Sequence, residues 1–100
     1  AARFAGPAVL VGTSVDDSLS GVGALGLTDS ELVFVLGTGG RRLDIPLDRA
    51  LASPYRQSER QRTPALRLDW DGQAAVFDLH QPGLKEWLPL LPNRGGPAAR

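Results

Sequence analysis

The sequence predicts a mainly β fold, a seven-stranded antiparallel, partly open barrel capped by one C-terminal amphipathic helix. Three features carry this expectation. Apolar and polar residues alternate with a period of two as far as about residue 79, as half-buried strands require. Clusters of Gly, Asp and Ser break that alternation at short intervals. Past Pro82 the apolar period becomes helical.

Ala8–Thr13 is short, apolar and β-branched after Gly6-Pro7, and reads as the first strand. The polar cluster Asp16–Gly21 turns the chain into a second strand of small residues, in which Gly23, Leu25 and Leu27 alternate with Val22, Ala24 and Gly26. Glycine inside a strand commonly marks a bulge or a bend. Thr28–Glu31 is a tight polar turn, and Leu32–Leu36 is the strongest strand signal. Five consecutive apolar residues there predict burial, or partial cover, on both faces. Gly37-Thr38-Gly39-Gly40 supplies a hairpin loop. Leu43, Ile45 and Leu47 then alternate with Arg42, Asp44 and Pro46, with Pro46 expected where no ladder bond is donated.

Asp48–Ala52 fits either one helical turn or the start of a fifth strand ending near Tyr55. Residues 57–63 lack any apolar residue and read as an exposed, mobile loop. Leu66, Leu68 and Trp70 mark the sixth strand. Asp71-Gly72 marks a two-residue hairpin, and Ala75, Phe77 and Leu79 mark the returning strand. Pro82 suits a first helical turn. Leu84, Trp87, Leu88 and Leu91 fall on one helical face, and Pro89 should stop or kink the helix near Leu88. Burying each of the four contributes about 1.5–3 kcal/mol, so this segment is expected to plug the barrel mouth, with Trp70 and Phe77 facing Trp87. Residues 1–6 are expected to form a leader, 7–91 a single domain and 92–100 a flexible tail.

Composition narrows function mainly by exclusion. A chain of 100 residues, 42% apolar, suffices for one core without staples. No cysteine is present, which removes disulfides, thiolate nucleophiles and Cys-based metal sites. Eleven basic residues balance eleven acidic ones, giving no bulk attraction for nucleic acid, and no nucleic-acid partner is expected. No apolar run approaches the roughly 20 residues of a membrane-spanning helix. Ten arginines against one lysine suggest a GC-rich genome. The chain opens on Ala1 and holds no Met, so we expect a processed or excised piece of a longer protein. Its expected location is the cytoplasm, with any attachment to the inner face of a membrane made through a region outside these residues.

Residues 23–34, Gly-Ala-Leu-Gly-Leu-Thr-Asp-Ser-Glu-Leu-Val-Phe, and 42–49, Arg-Leu-Asp-Ile-Pro-Leu-Asp-Arg, together resemble the bacterial PH-like (pleckstrin-homology-like) and GRAM-like domains. Leu84-Lys85-Glu86-Trp87-Leu88 is similar to the C-terminal helix of that superfamily. The resemblance is specific over about residues 21–49, loose over 64–91 and absent in the loop at 57–63. It implies a two-sheet, partly open barrel with a capping helix, and a binding or scaffolding role. Fold analogy alone does not choose the partner. Phosphoinositide-binding members carry basic residues in and beside the first interstrand loop. Here that loop is Ser14–Ser20, with Asp16 and Asp17 and no base, which argues against inositol-phosphate recognition.

Asp16-Asp17 lacks the ligand number and spacing of a calcium loop and reads as a solvated turn. His80, the only histidine, has Asp78 two residues away but no nucleophile motif, and is expected to end the last strand. Gly37–Arg42 lacks phosphate-loop spacing. Arg41 and Arg42 lie at that loop edge, while Arg56, Arg60 and Arg62, with Arg67 beyond, form the most basic segment, interrupted by Glu59. Residues 1–40 hold one basic and four acidic groups (net −3), and residues 41–100 ten and seven (net +3). These six arginines are the candidate binding residues. No catalytic residue, cofactor or metal is expected. The predicted function is a non-enzymatic module binding a protein or peptide, with anionic lipid at the loop 56–63 as the alternative. A peptide is expected either between sheet edge and helix or along an exposed edge. Composition does not bear on oligomeric state.

Overall fold

The computed structural model describes residues 3–60 and 62–93. Seven antiparallel strands form one sheet: β1 (Phe4–Thr13), β2 (Gly21–Leu27), β3 (Glu31–Leu36), β4 (Arg42–Pro46), β5 (Ala50–Tyr55), β6 (Ala65–Trp70) and β7 (Gln73–Leu79). Their order is β4-β3-β2-β1-β7-β6-β5, so β1 is central, β4 and β5 are the edges, and the sheet does not close. One short helix, α1 (Leu84–Trp87), runs into a 3-10 turn at Leu88–Leu90. The predicted class is as observed, and so is the alternation expected along β2, β4, β6 and β7.

Alternation places the core. Inward rows such as Leu27–Leu32–Ile45 and Leu25–Phe34–Leu43 run across β2, β3 and β4, and all six side chains are buried. Phe34 and Phe77 meet across the interior with ring centroids 5.5 Å apart. Asp71 (φ 47°) and Gly72 (φ 77°) both take the left-handed region in the β6–β7 hairpin, the conformation that twists with the flanking strands. The segment that fitted either a turn or a strand is both, a 3-10 turn at Leu47–Arg49 followed by β5.

Three expectations shift. The first strand starts at Phe4 rather than after Gly6-Pro7, so Phe4–Gly6 belong to the sheet and not to a leader. Phe4 stands edge-on to Trp87, ring centroids 4.7 Å apart at 80°, which gives an apolar reason for the earlier start. At the other end, Pro92 and Asn93 are ordered: Ala52 N–H donates to Pro92 O (2.6 Å) and Asn93 bridges β5. The rest of the expected tail, 94–100, lies outside the described residues, as do Ala1 and Ala2. Gly23 marks no bulge. It pairs in regular register, and a Cβ there would lie 2.2 Å from Val35 O and 2.8 Å from the Phe34 ring. The ladder irregularity lies instead in β1, between Leu10 and Gly12.

Helix α1 begins at Leu84, two residues beyond the Pro82 expected in its first turn, and Glu86 Oε1 accepts the Gly83 N–H at 3.0 Å. Leu84, Trp87 and Leu91 are buried as predicted and Leu88 packs against the core at partial burial. Trp87 is fully buried, and its indole N–H has no acceptor among the described residues. Replacing Trp87 by Ala should therefore cost about 3–5 kcal/mol in urea unfolding. Trp87→Phe, which removes no hydrogen bond, should cost much less; equal losses would show that packing is not what Trp87 supplies. Gly23→Ala should destabilise by about 1–3 kcal/mol through overpacking against backbone, and an unchanged midpoint would contradict the close β2–β3 approach.

Candidate functional site: a charge-paired rim and an open apolar face

The arginines expected to bind an anion are largely engaged within the chain. Arg41, in the β3–β4 loop, reaches the β1–β2 loop, where Nη2 meets Asp16 Oδ2 at 2.6 Å and Nη1 donates to Ser18 Oγ. Asp16 in turn caps the 3-10 turn Asp17–Leu19, its Oδ1 accepting from Ser18 N–H (3.0 Å) and Ser18 Oγ (2.8 Å). Both carboxylate oxygens are thus occupied by a turn and a guanidinium. The Ser18 amide, then the Ser18 hydroxyl and Arg41, hold the Asp16 carboxyl below its ordinary pKa.

Arg42 makes a two-pronged pair with Asp44 (3.0 and 2.9 Å), and Arg67 does the same with Asp69. The hydrogen bonds to these aspartates, and then their charge, raise the pKa of each arginine. Arg67 also lies 5.4 Å from the Tyr55 ring centre, in cation–π geometry. Arg49, not singled out from the sequence, closes on Asp71 at 2.9 Å. The i, i+2 strand spacing of Arg42–Asp44 and Arg67–Asp69 was available in the sequence. The loop-to-loop pairs Arg41–Asp16 and Arg49–Asp71 were not, since they depend on topology.

Arg56, Arg60 and Arg62 all lie exposed in the β5–β6 connection, as predicted. Gln57 in that loop donates to Asp78 Oδ1 at 3.2 Å. Among the described residues, Arg60 and Arg62 have no ion-pair partner. The six arginines therefore do not converge: Arg41 sits on one loop pair, Arg42 and Arg67 on different strands, and the other three on the connection.

The feature that the arginine reading missed is the outer face of β1–β3. Register places Pro7, Ala24 and Val35 in one outward row, Ala5, Gly26 and Val33 in the next, and Val9 beside Val22. Val22 is 70% exposed and Val35 43%. Small residues at Ala5, Ala24 and Gly26 floor a groove of about 340 Å³ between Val33, Val35 and the rim residues Glu31 and Arg42. The signal was the run Leu32–Leu36, read as buried or partly covered on both faces; the inner face is buried, while no described element covers the outer one. The outer side of β5–β7 differs in being mixed, with Ser53, Arg67, Asp69 and Asp78 interleaved among Leu51, Ala74 and Val76.

No helix of the described residues is long and apolar enough to cross a membrane. No family model, curated protein or solved structure matches the chain.

The Asp16 lock sets a pH dependence of definite sign. A carboxyl whose folded pKa lies below its unfolded value of about 3.9 stabilises the fold above that value and loses this contribution as pH falls through the lowered one. Carboxyl NMR should show Asp16 titrating below the ordinary range. Ser18→Ala and Arg41→Gln should each raise it without restoring the free value, because the Ser18 amide stays in place. An Asp16 titration indifferent to Arg41→Gln would show that the loop pair does not form in solution.

Proposed function

We propose that the chain is a non-catalytic PH-like binding and scaffolding module that mediates protein–protein interaction within a larger protein. The observation that supports this best is the contiguous apolar outer face of β1–β3, bordered by Glu31, Arg42 and Asp44. An apolar centre with a polar rim is the anatomy of a protein interface. Contiguity matters here, because single exposed apolar residues are ordinary on any surface. The Arg42–Asp44 pair leaves the rim without a local excess of positive charge, which favours a polypeptide over an anionic membrane. A photo-crosslinking residue at Val22 should capture a second polypeptide in the native host, and Val35→Asp should abolish that adduct. The same probe at Ser53, on the mixed side, should not capture it. Adducts confined to lipid, or equal capture from Ser53, would overturn this reading.

The second reading, peripheral binding to anionic lipid, is supported by Arg60 and Arg62, exposed and without ion pairs among the described residues. Sedimentation with phosphatidylglycerol vesicles separates the two. Under the first reading the chain stays in the supernatant at low salt. Pelleting that is lost at high salt, and in the Arg56→Gln/Arg60→Gln/Arg62→Gln variant, would establish the second instead.

A further inference from the structure

We propose that the free edge of β4 pairs with the same edge of a second copy of this chain, antiparallel about a two-fold axis at Leu43. This goes beyond the protein-interaction reading, because it uses a sheet edge and stands whether or not the outer face finds a partner.

The two sheet edges are treated differently. On β5 the backbone groups facing away from β6 belong to Ala50, Ala52 and Pro54. Ala50 N–H donates to Leu47 O, Ala52 N–H donates to Pro92 O, and Pro54 has no N–H. Every donor on that edge is accounted for, as edges protected from further pairing are. On β4 the bonds Leu36 N–H to Arg41 O and Leu47 N–H to Ser30 O bracket the ladder with β3. Two-residue alternation then turns Leu43 and Ile45 toward β3, and Arg42, Asp44 and Pro46 outward. Pro46 falls where no bond is donated, as its sequence position required. The amides of Arg42 and Asp44 find no backbone acceptor among the described residues.

Charge selects the occupant of this edge. Pairing about Leu43 sets Arg42 of one copy opposite Asp44 of the other, and Asp44 opposite Arg42. Directly opposed strand residues have Cβ atoms about 4.5–5.5 Å apart, closer than the roughly 6.8 Å between i and i+2 along one strand. The salt bridge that each copy makes within β4 can therefore be exchanged for one across the axis, two for two, while four backbone hydrogen bonds are added. A parallel arrangement in the same register would oppose like charges. The result is a continuous sheet whose two apolar outer faces lie side by side. An edge-to-edge contact is smaller than a standard interface, so the dimer forms reversibly with concentration.

Sedimentation velocity of the full chain should show a monomer–dimer equilibrium. Hydrogen exchange at the Arg42 and Asp44 amides should slow as concentration rises. Arg42→Asp and Asp44→Arg should each weaken association roughly tenfold or more, since each opposes like charges across the axis. Mixing the two variants should restore the dimer, because each cross-axis pair regains opposite signs while the pair within either chain does not. A wild-type chain that stays monomeric up to about 1 mM overturns the proposal. Single variants that dimerise like wild type, or folded variants whose mixture stays monomeric, overturn it equally. Should a variant fail to fold by circular dichroism, the concentration dependence of exchange in the wild-type chain decides.

Discussion

An antiparallel sheet that bends without closing leaves its concave apolar face open at the mouths, and Trp87 is the residue on which covering it depends. The side chain is wholly buried, packed edge-on by Phe4 and flanked in sequence by Leu84 and Leu91, also buried. Its indole N–H lacks an acceptor among the described residues, a cost of about 1–3 kcal/mol. The packing of a buried Trp, worth about 3–5 kcal/mol against Ala, exceeds that cost. Access for the helix depends on Gly6, where a Cβ would lie 2.6 Å from Pro82 Cδ, so β1 lets the chain leaving β7 pass close over it. The first strand and the last helix are thus one structural decision, made at opposite ends of the sequence.

Electrostatics has a different role from packing. Arg41, Arg42, Arg49 and Arg67 each meet an aspartate, and all of these pairs are substantially solvent-exposed. Exposed pairs contribute about 0–1 kcal/mol apiece, so they do not hold the fold together. Their consequence is for recognition. The Asp16 carboxylate fills the Arg41 fork where an external anion would otherwise sit, and strand geometry folds Arg42 and Arg67 back onto neighbours two residues along. The groove of about 610 Å³ beside the β2–β3 turn is lined by Asp29, Glu31 and Asp48 and has the wrong sign for a phosphate.

What the sequence disclosed follows from the range of the interaction involved. Asp71-Gly72, the phase of Pro46 and the stripe Leu84–Trp87–Leu91 depend on a few neighbouring residues, and each was legible. Phe4 was not, because its reason for joining the sheet is Trp87, more than eighty positions away. Gly23 was legible as unusual but not as a seat for Phe34, since only the β2–β3 register reveals the close approach. The arginines show the same division. Their number and exposure could be read directly, whereas the loop contact that engages Arg41 could not.

The outer face of β1–β3 is not explained by the fold's own needs. Valine favours strands wherever it faces, so Val9, Val22, Val33 and Val35 alone could reflect propensity. Ala5, Pro7, Ala24 and Gly26 could not, for these are poor strand formers and sit between the valines in the same outward rows. Glycine and alanine there weaken the sheet locally and leave a flat, low floor, a shape that stabilises nothing inside the chain. Elsewhere on this surface, charges of both signs are interleaved and the β5 edge is covered. Local stability sacrificed for a smooth apolar platform, next to a β4 edge whose outward amides meet no backbone acceptor among the described residues, is the physical support for the proposed binding of another polypeptide.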